Sequence, residues 1–118
     1  MPTRFQQLAA DAKSRVREIS PTDAAERRRA GAKLIDVRES DDFAKQHAPG
    51  AMALSKGIVE MKIEQQIPDV ATEIICYCGG GNRSALVADN LQKMGYQNVA
   101  SMAGGFTAWQ EAGLPTEP

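Results

Sequence analysis

Cys78 opens a run whose residue types could do nucleophilic chemistry, Cys78-Gly79-Gly80-Gly81-Asn82-Arg83-Ser84. The thiolate is the reactive form of cysteine, so its surroundings decide whether the residue is a nucleophile or a small buried hydrophobe. Three glycines let the chain turn so that successive amides converge on one point, because they accept positive φ and leave room for close approach. A helical pattern then runs from Arg83 through Leu86, Val87, Leu91 and Met94. The first amides of a helix have no partner inside it, and its dipole places positive potential at that end. Arg83, five residues after the cysteine, adds a permanent charge and a fork of donors suited to an oxyanion. Surroundings of this kind lower a thiol pKa from about 8.5 to roughly 3.5–7.5. A glycine-rich turn alone more often just connects two elements. The functional reading rests on the cysteine, the Asn82-Arg83-Ser84 sequel and the helix taken together.

A strand must deliver this cysteine, and Ile74 to Cys78 is the apolar run that does so, with Cys76 inside it and Cys78 at its exit. Strand and helix patterns alternate along the rest of the chain. Thr3 to Lys13 repeats Phe5, Leu8, Ala9 and Ala12 at helical spacing, predicting a helix with one apolar face. Val16 to Ser20 reads as a strand, and Ser20-Pro-Thr-Asp23 as the capped start of a helix stopped by Gly31. Lys33 to Val37 is a strand ending in Asp36, Arg38 and Glu39, which would support a site at that sheet edge through salt bridges or hydrogen bonds to the loops. A short helix beginning Ser40-Asp-Asp-Phe43, a Pro49-Gly50 turn and a strand at Ala51 to Leu54 follow. Ile58 to Ile67 reads as an amphipathic helix stopped by Pro68, Val99 to Met102 as a strand, Gly104-Gly105 as a tight turn, and Phe106 to Ala112 as a helix with Trp109 as a core anchor. Alternation of this kind predicts an α/β fold, a mostly parallel sheet with helices on both faces.

Several segments together resemble the rhodanese family of sulfurtransferases. Cys78-Gly-Gly-Gly-Asn-Arg-Ser84 is similar to its active-site loop, and Leu34-Ile-Asp-Val-Arg-Glu39 to its second-strand signature. His47-Ala-Pro-Gly-Ala51 resembles its His-Ile-Pro-Gly-Ala segment with Ala48 in place of the larger residue. Gly104-Gly-Phe-Thr-Ala-Trp109 and Gly113-Leu-Pro115 resemble its closing motif. The likeness runs from about Ile19 to Pro115 and implies the rhodanese topology with five core strands, giving a helical N-terminal extension at 1–15 and a rhodanese domain at 16–118. It also places His47, the only histidine, in a structural turn, so activation of the thiolate rests on the loop amides and Arg83.

The chemistry implied is transfer of a sulfane sulfur through a Cys78 persulfide. Cys78 would attack the outer sulfur of a small anionic donor such as thiosulfate, and the amides of Gly79, Gly80, Gly81, Asn82, Arg83 and Ser84 would hold the charge that results. Cyanide, a thiol or a sulfur-accepting protein would then take the sulfur. Asp36 and Arg38 are supporting residues in this reading. Two rivals stand beside it. A cysteine phosphatase or arsenate reductase would carry its arginine six residues after the cysteine, and the spacing here is five, which makes a smaller cradle. A non-enzymatic persulfide carrier or protein-binding module would use the same fold.

Composition sets the remaining bounds. A chain of 118 residues with 42% hydrophobic and 25% charged residues fits one ordinary globular domain. A formal net charge of -1 supplies no global field for nucleic acid or a membrane surface, and Arg27-Arg28-Arg29 reads as a solvated helix face. The N-terminus lacks a basic and apolar leader, no apolar stretch is long enough to span a bilayer, and a cytoplasmic address with reduced thiols is the expectation. Cys76 and Cys78 are too close in an extended segment to form an unstrained disulfide, and one histidine with two strand cysteines makes no plausible metal set, so no metal or organic cofactor is implied.

Overall fold

A computed structural model describes all 118 residues, Met1–Pro118. Five strands form one sheet in the order β1-β5-β4-β2-β3, with every pairing parallel. They are β1 (Arg17–Ile19), β2 (Lys33–Asp36), β3 (Met52–Ala53), β4 (Ile74–Tyr77) and β5 (Val99–Met102). Parallel neighbours need crossovers, and six helices supply them or flank them: α1 (Arg4–Lys13), α2 (Pro21–Arg29), α3 (Ser40–Lys45), α4 (Val59–Gln66), α5 (Asn82–Lys93) and α6 (Gly105–Glu111). No helix is long and apolar enough to cross a membrane.

Side chains alternate across a strand, so each strand of the buried sheet feeds two cores. On one face Ile35 and Val37, and Ile74, Cys76 and Cys78, meet Val59 and Ile63 of α4 and Val87, Ala88 and Leu91 of α5. On the other face Leu34, Ile75, Tyr77 and Met102 meet Ala24 and Ala25 of α2 and Phe106 and Trp109 of α6. Trp109 is buried as the sequence predicts, and its indole N–H donates to the Pro115 carbonyl at 2.9 Å. Both faces of β4 are covered, which fixes the direction in which its last residues leave the sheet.

The first two helix starts follow their capping residues. Thr3 closes a capping box with Gln6 on α1, and Ser20 Oγ accepts from the Asp23 amide at the start of α2. The expected capped start at Ser40 differs in detail. Glu39 is the capping residue of α3, and its side chain makes no cap hydrogen bond. Helix α1 packs on α5 through the fully buried Ala9 and Ala12, whereas Phe5 and Leu8 of the predicted apolar face remain exposed. Small residues let two helices approach closely, and the larger pair is left at the margin of that contact. On α4 the same sorting buries Val59 and Ile63 and exposes Met61.

Candidate active site

Cys78 follows the last residue of β4 and is buried to 1% exposure, with its side chain on the α5 face of the sheet. The chain turns through Gly79 and Gly80 and reaches Gly81 at φ +102°, a conformation that favours glycine, where α5 begins. A Cβ at Gly81 would also stand 3.2 Å from the Gly104 amide nitrogen, so the loop lies close against the turn after β5.

The turn brings two amide donors and one hydroxyl to one sulfur. The Gly81 amide donates to Cys78 Sγ at 3.1 Å and the Ser84 amide at 3.4 Å. Ser84 Oγ lies 3.5 Å from the same atom. Burial pushes the Cys78 thiol up, but hydrogen bonds from the Ser84 side chain and from the amides of Ser84, Gly81 and Gly80 outweigh it, leaving the pKa below that of an ordinary thiol. Cys76 is the contrast. It lies inside the strand without exposed surface, and burial, assisted by the nearby Cys78, pushes its thiol up to about 12. The two cysteines differ by two positions and share a sheet face, but only the one at the strand exit meets the helix start.

The remaining predicted residues take distinct places. Asn82 and Arg83 are the first residues of α5, and neither amide is bonded to Sγ. Arg83 is half-buried, no ion pair engages it, and its Nη2 lies 3.9 Å from where a Cβ on Gly79 would stand, so the guanidinium is turned back over the loop. Asp36 and Arg38 are not joined to the cysteine loop. The fully buried Asp36 carboxylate accepts from Arg38 Nη2 at 2.8 Å and from the Arg38 amide at 2.9 Å. Arg38 also donates to the Gln46 carbonyl at 2.7 Å, and its guanidinium stacks 4.3 Å from the Phe106 ring centre. The pair thus braces the end of α3 and the start of α6.

His47 is committed elsewhere. Its ring stacks on Phe43 at 3.7 Å, Nδ1 lies 2.9 Å from the Phe43 carbonyl, and Nε2 lies 3.4 Å from Glu117 Oε1. It has no hydrogen bond to Cys78, so the histidine base of a Cys–His pair is not assembled.

Two features at the site escape the sequence reading. Gly104-Gly105 is more than a turn, because the Phe106 and Thr107 amides at the start of α6 donate to the carbonyls of Cys78 at 2.7 Å and Gly79 at 3.1 Å. Ser101, buried in β5, lies 2.8 Å from Ser84 through their hydroxyl oxygens. The signal available for the second was a single polar residue inside an apolar strand.

Known proteins share the family and the fold. The model of the Rhodanese-like domain family matches residues 20–112. The thiosulfate sulfurtransferase GlpE of Haemophilus influenzae is 37% identical over 102 residues, 86% of this chain and 94% of its own. Among solved structures, a Rhodopseudomonas palustris protein of unknown function, described as a possible tyrosine phosphatase, superimposes with a TM-score of 0.83 at 28% identity over 99% of both chains. A rhodanese-related protein from Thermoplasma volcanium gives a TM-score of 0.76 at 26% identity, covering 86% of this chain and 97% of its own.

Proposed function

The chain belongs to the rhodanese-like family, and on that premise we propose that it is a thiosulfate sulfurtransferase that carries sulfane sulfur as a persulfide on Cys78. The observation that carries this reading is the convergence of the Gly81 amide, the Ser84 amide and the Ser84 hydroxyl on one buried sulfur. The Cys78 thiolate attacks the outer sulfur of thiosulfate, the sulfur–sulfur bond of the donor breaks, and sulfite leaves with the electron pair. The product, Cys78–S–S⁻, bears its charge one atom beyond Sγ. The first amides of α5, on Asn82 and Arg83, have no partner inside the helix and face that charge together with the Gly79 and Gly80 amides. Cyanide or a thiol then attacks the outer sulfur and the Cys78 thiolate departs, which restores the starting state without a proton transfer at the sulfur.

No general base is required, in keeping with the engagement of His47 by Phe43 and Glu117. The 1% exposure of Cys78 supports a compact donor. The uncompensated Arg83 supports an anionic one. The same reading places the protein in the cytoplasm, where thiols stay reduced, and assigns no role to nucleic acid or a membrane.

The likeness to a structure described as a possible tyrosine phosphatase favours a second reading. The five-residue step from Cys78 to Arg83 argues against it, since the loop is one residue shorter than the six-residue step expected of a cysteine phosphatase. One experiment separates the readings. After incubation with thiosulfate, intact-mass measurement should show one added sulfur atom on the wild type and on Cys76→Ser but none on Cys78→Ser, and cyanide should discharge it as thiocyanate. A stable added sulfur that cyanide and thiols leave in place indicates a carrier module. Hydrolysis of p-nitrophenyl phosphate without sulfur loading indicates a phosphatase.

A further inference from the structure

Val99, Ala100 and Met102 make β5 apolar except at Ser101. Ser101 has no exposed surface and pairs in register with Cys76 on β4. Its hydroxyl makes a single hydrogen bond, 2.8 Å to Ser84 Oγ, and Ser84 Oγ in turn lies 3.5 Å from Cys78 Sγ. The three side chains form a buried series that ends on the sulfur.

A hydroxyl has one proton to give and two lone pairs with which to accept. If Ser84 gave its proton to Ser101, the Ser101 proton would be shut away from water without an acceptor, and the sulfur would lose a donor. Both losses carry a desolvation cost. With Cys78 ionised the sulfur carries no proton and only accepts; if Ser101 then donates to Ser84, every proton in the series has an acceptor, and the Ser84 proton is aimed at Sγ. Donation into the Ser84 oxygen also polarises its O–H, which strengthens the bond to an anionic sulfur.

We propose that Ser101 is a positioning residue for sulfur transfer, fixing the direction of the Ser84 hydroxyl so that its proton points at Cys78 Sγ. It touches neither donor nor acceptor and acts only through Ser84. The role applies twice in the reaction, when the thiolate attacks and when it leaves the persulfide. The inference rests on the reading of Cys78 as the nucleophile. Of the ionisable groups around the sulfur, Cys76 shares its sheet face and Arg83 begins α5, and both are kept in every variant below.

The test is the pH dependence of Cys78 alkylation by iodoacetamide, followed by peptide mass spectrometry on the full chain. Wild type should show a midpoint clearly below the value of about 8.5 for a free thiol. Ser101→Ala should raise that midpoint by about half a pH unit, and Ser101→Thr, which keeps the hydroxyl, should restore it. Ser84→Ala should raise it further than Ser101→Ala does, and adding Ser101→Ala to Ser84→Ala should change nothing more. A purely packing role for Ser101 would lower thermal stability without moving the midpoint. An unmoved midpoint in a folded Ser101→Ala overturns the proposal, as does a shift of equal size on the Ser84→Ala background. That cycle decides the matter even where the added methyl of Ser101→Thr prevents folding. A wild-type midpoint at or above about 8.5 overturns the nucleophile assignment itself. A low wild-type midpoint with an unmoved Ser101→Ala removes only the positioning role.

Discussion

Gly105→Ala should damage both stability and turnover, and the geometry of the site sets the size of the effect. Gly105 sits at φ +59°, in the left-handed region, where an alanine costs about 1–2 kcal/mol. The added Cβ would overlap the Cys78 carbonyl oxygen and stand 2.7 Å from the carbonyl carbon and oxygen of Gly79. These are backbone atoms on a loop fixed at both ends, so they cannot swing aside as a flexible side chain would. Overpacking of this kind costs typically about 1–3 kcal/mol, and the two terms together give roughly 2–5 kcal/mol. Relief by separating the two segments would break or stretch the Phe106-to-Cys78 and Thr107-to-Gly79 hydrogen bonds that cross the contact. Any such movement displaces Cys78 relative to its amide donors, and a misplacement of about 1 Å can cost on the order of a hundredfold in rate. Gly95→Ala is the control, since Gly95 has φ +104° but nothing within 4 Å of its would-be Cβ. Urea denaturation and thiosulfate–cyanide turnover would be measured on both variants. The expected result is a loss of roughly 2–5 kcal/mol and at least about tenfold in kcat/KM for Gly105→Ala, against about 1–2 kcal/mol and normal turnover for Gly95→Ala. Equal destabilisation of the two variants with full activity in both would refute the reasoning.

Donor choice should follow from the loop. Between Cys78 and Arg83 there are three glycines and an asparagine, so kcat/KM should favour thiosulfate over mercaptopyruvate by about tenfold or more, some 1.4 kcal/mol of transition-state stabilisation. Arg83→Ala should lose mainly the thiosulfate reaction, and equal or reversed kcat/KM values for the two donors would remove this assignment. At alkaline pH, Cys76 should erode stability, because its folded thiol holds its proton to about 12 whereas an unfolded chain releases it near 8.5. The unfolded state binds fewer protons between these values, so stability falls as pH rises, by up to about 1.4 kcal/mol per pH unit. Cys76→Ala should flatten that slope in urea titrations between about pH 8.5 and 9.5, where the tyrosines of the unfolded chain, with a pKa of about 10, are still largely protonated and the raised Tyr77 and Tyr96 contribute little. An unchanged slope would show that the buried thiol is not its source.

What the sequence reveals is what depends on local order. Alternation of strand and helix patterns leads to the parallel sheet, and the break from apolar run to glycines to helix locates Cys78 at a strand exit. The features it hides depend on partners distant along the chain. Gly104-Gly105 signals a turn because glycine reports local φ, and nothing in the pair tells that a carbonyl of the Cys78 loop lies against it. Ser101 is visible as an anomaly in an apolar strand, but its partner is on a different element. Periodicity marks an apolar face on α1 without showing how near α5 comes, so the exposure of Phe5 and Leu8 does not follow from spacing. The charged pair at the end of β2 closes on itself, and its reach is through Arg38 to the Gln46 carbonyl and the Phe106 ring. Asp36 and Arg38 are two residues apart, and the carboxylate is satisfied by its own neighbour before any contact with the cysteine loop is possible.

Two helix starts meet at Cys78, one on each side of the sheet. The amide of Ser84 in the first turn of α5 donates to the sulfur, and the amide of Phe106 in the first turn of α6 donates to the carbonyl oxygen of the same residue. The side chain and the backbone of Cys78 are therefore held by donors from opposite faces, and neither set moves without disturbing a packed helix. Donors fixed in this way meet developing negative charge without reorganising, which is the condition under which electrostatic stabilisation is most effective. The arrangement also accounts for the absence of a histidine partner. A Cys–His pair obtains its thiolate by moving a proton onto the imidazole. Here the anion is favoured by hydrogen bonds that folding has already assembled, so His47 can be spent on joining the end of α3 to the chain near Glu117. The same economy ties reactivity to the integrity of the Gly81 and Gly105 contacts, since loosening either one weakens the donors that hold the Cys78 pKa below that of an ordinary thiol.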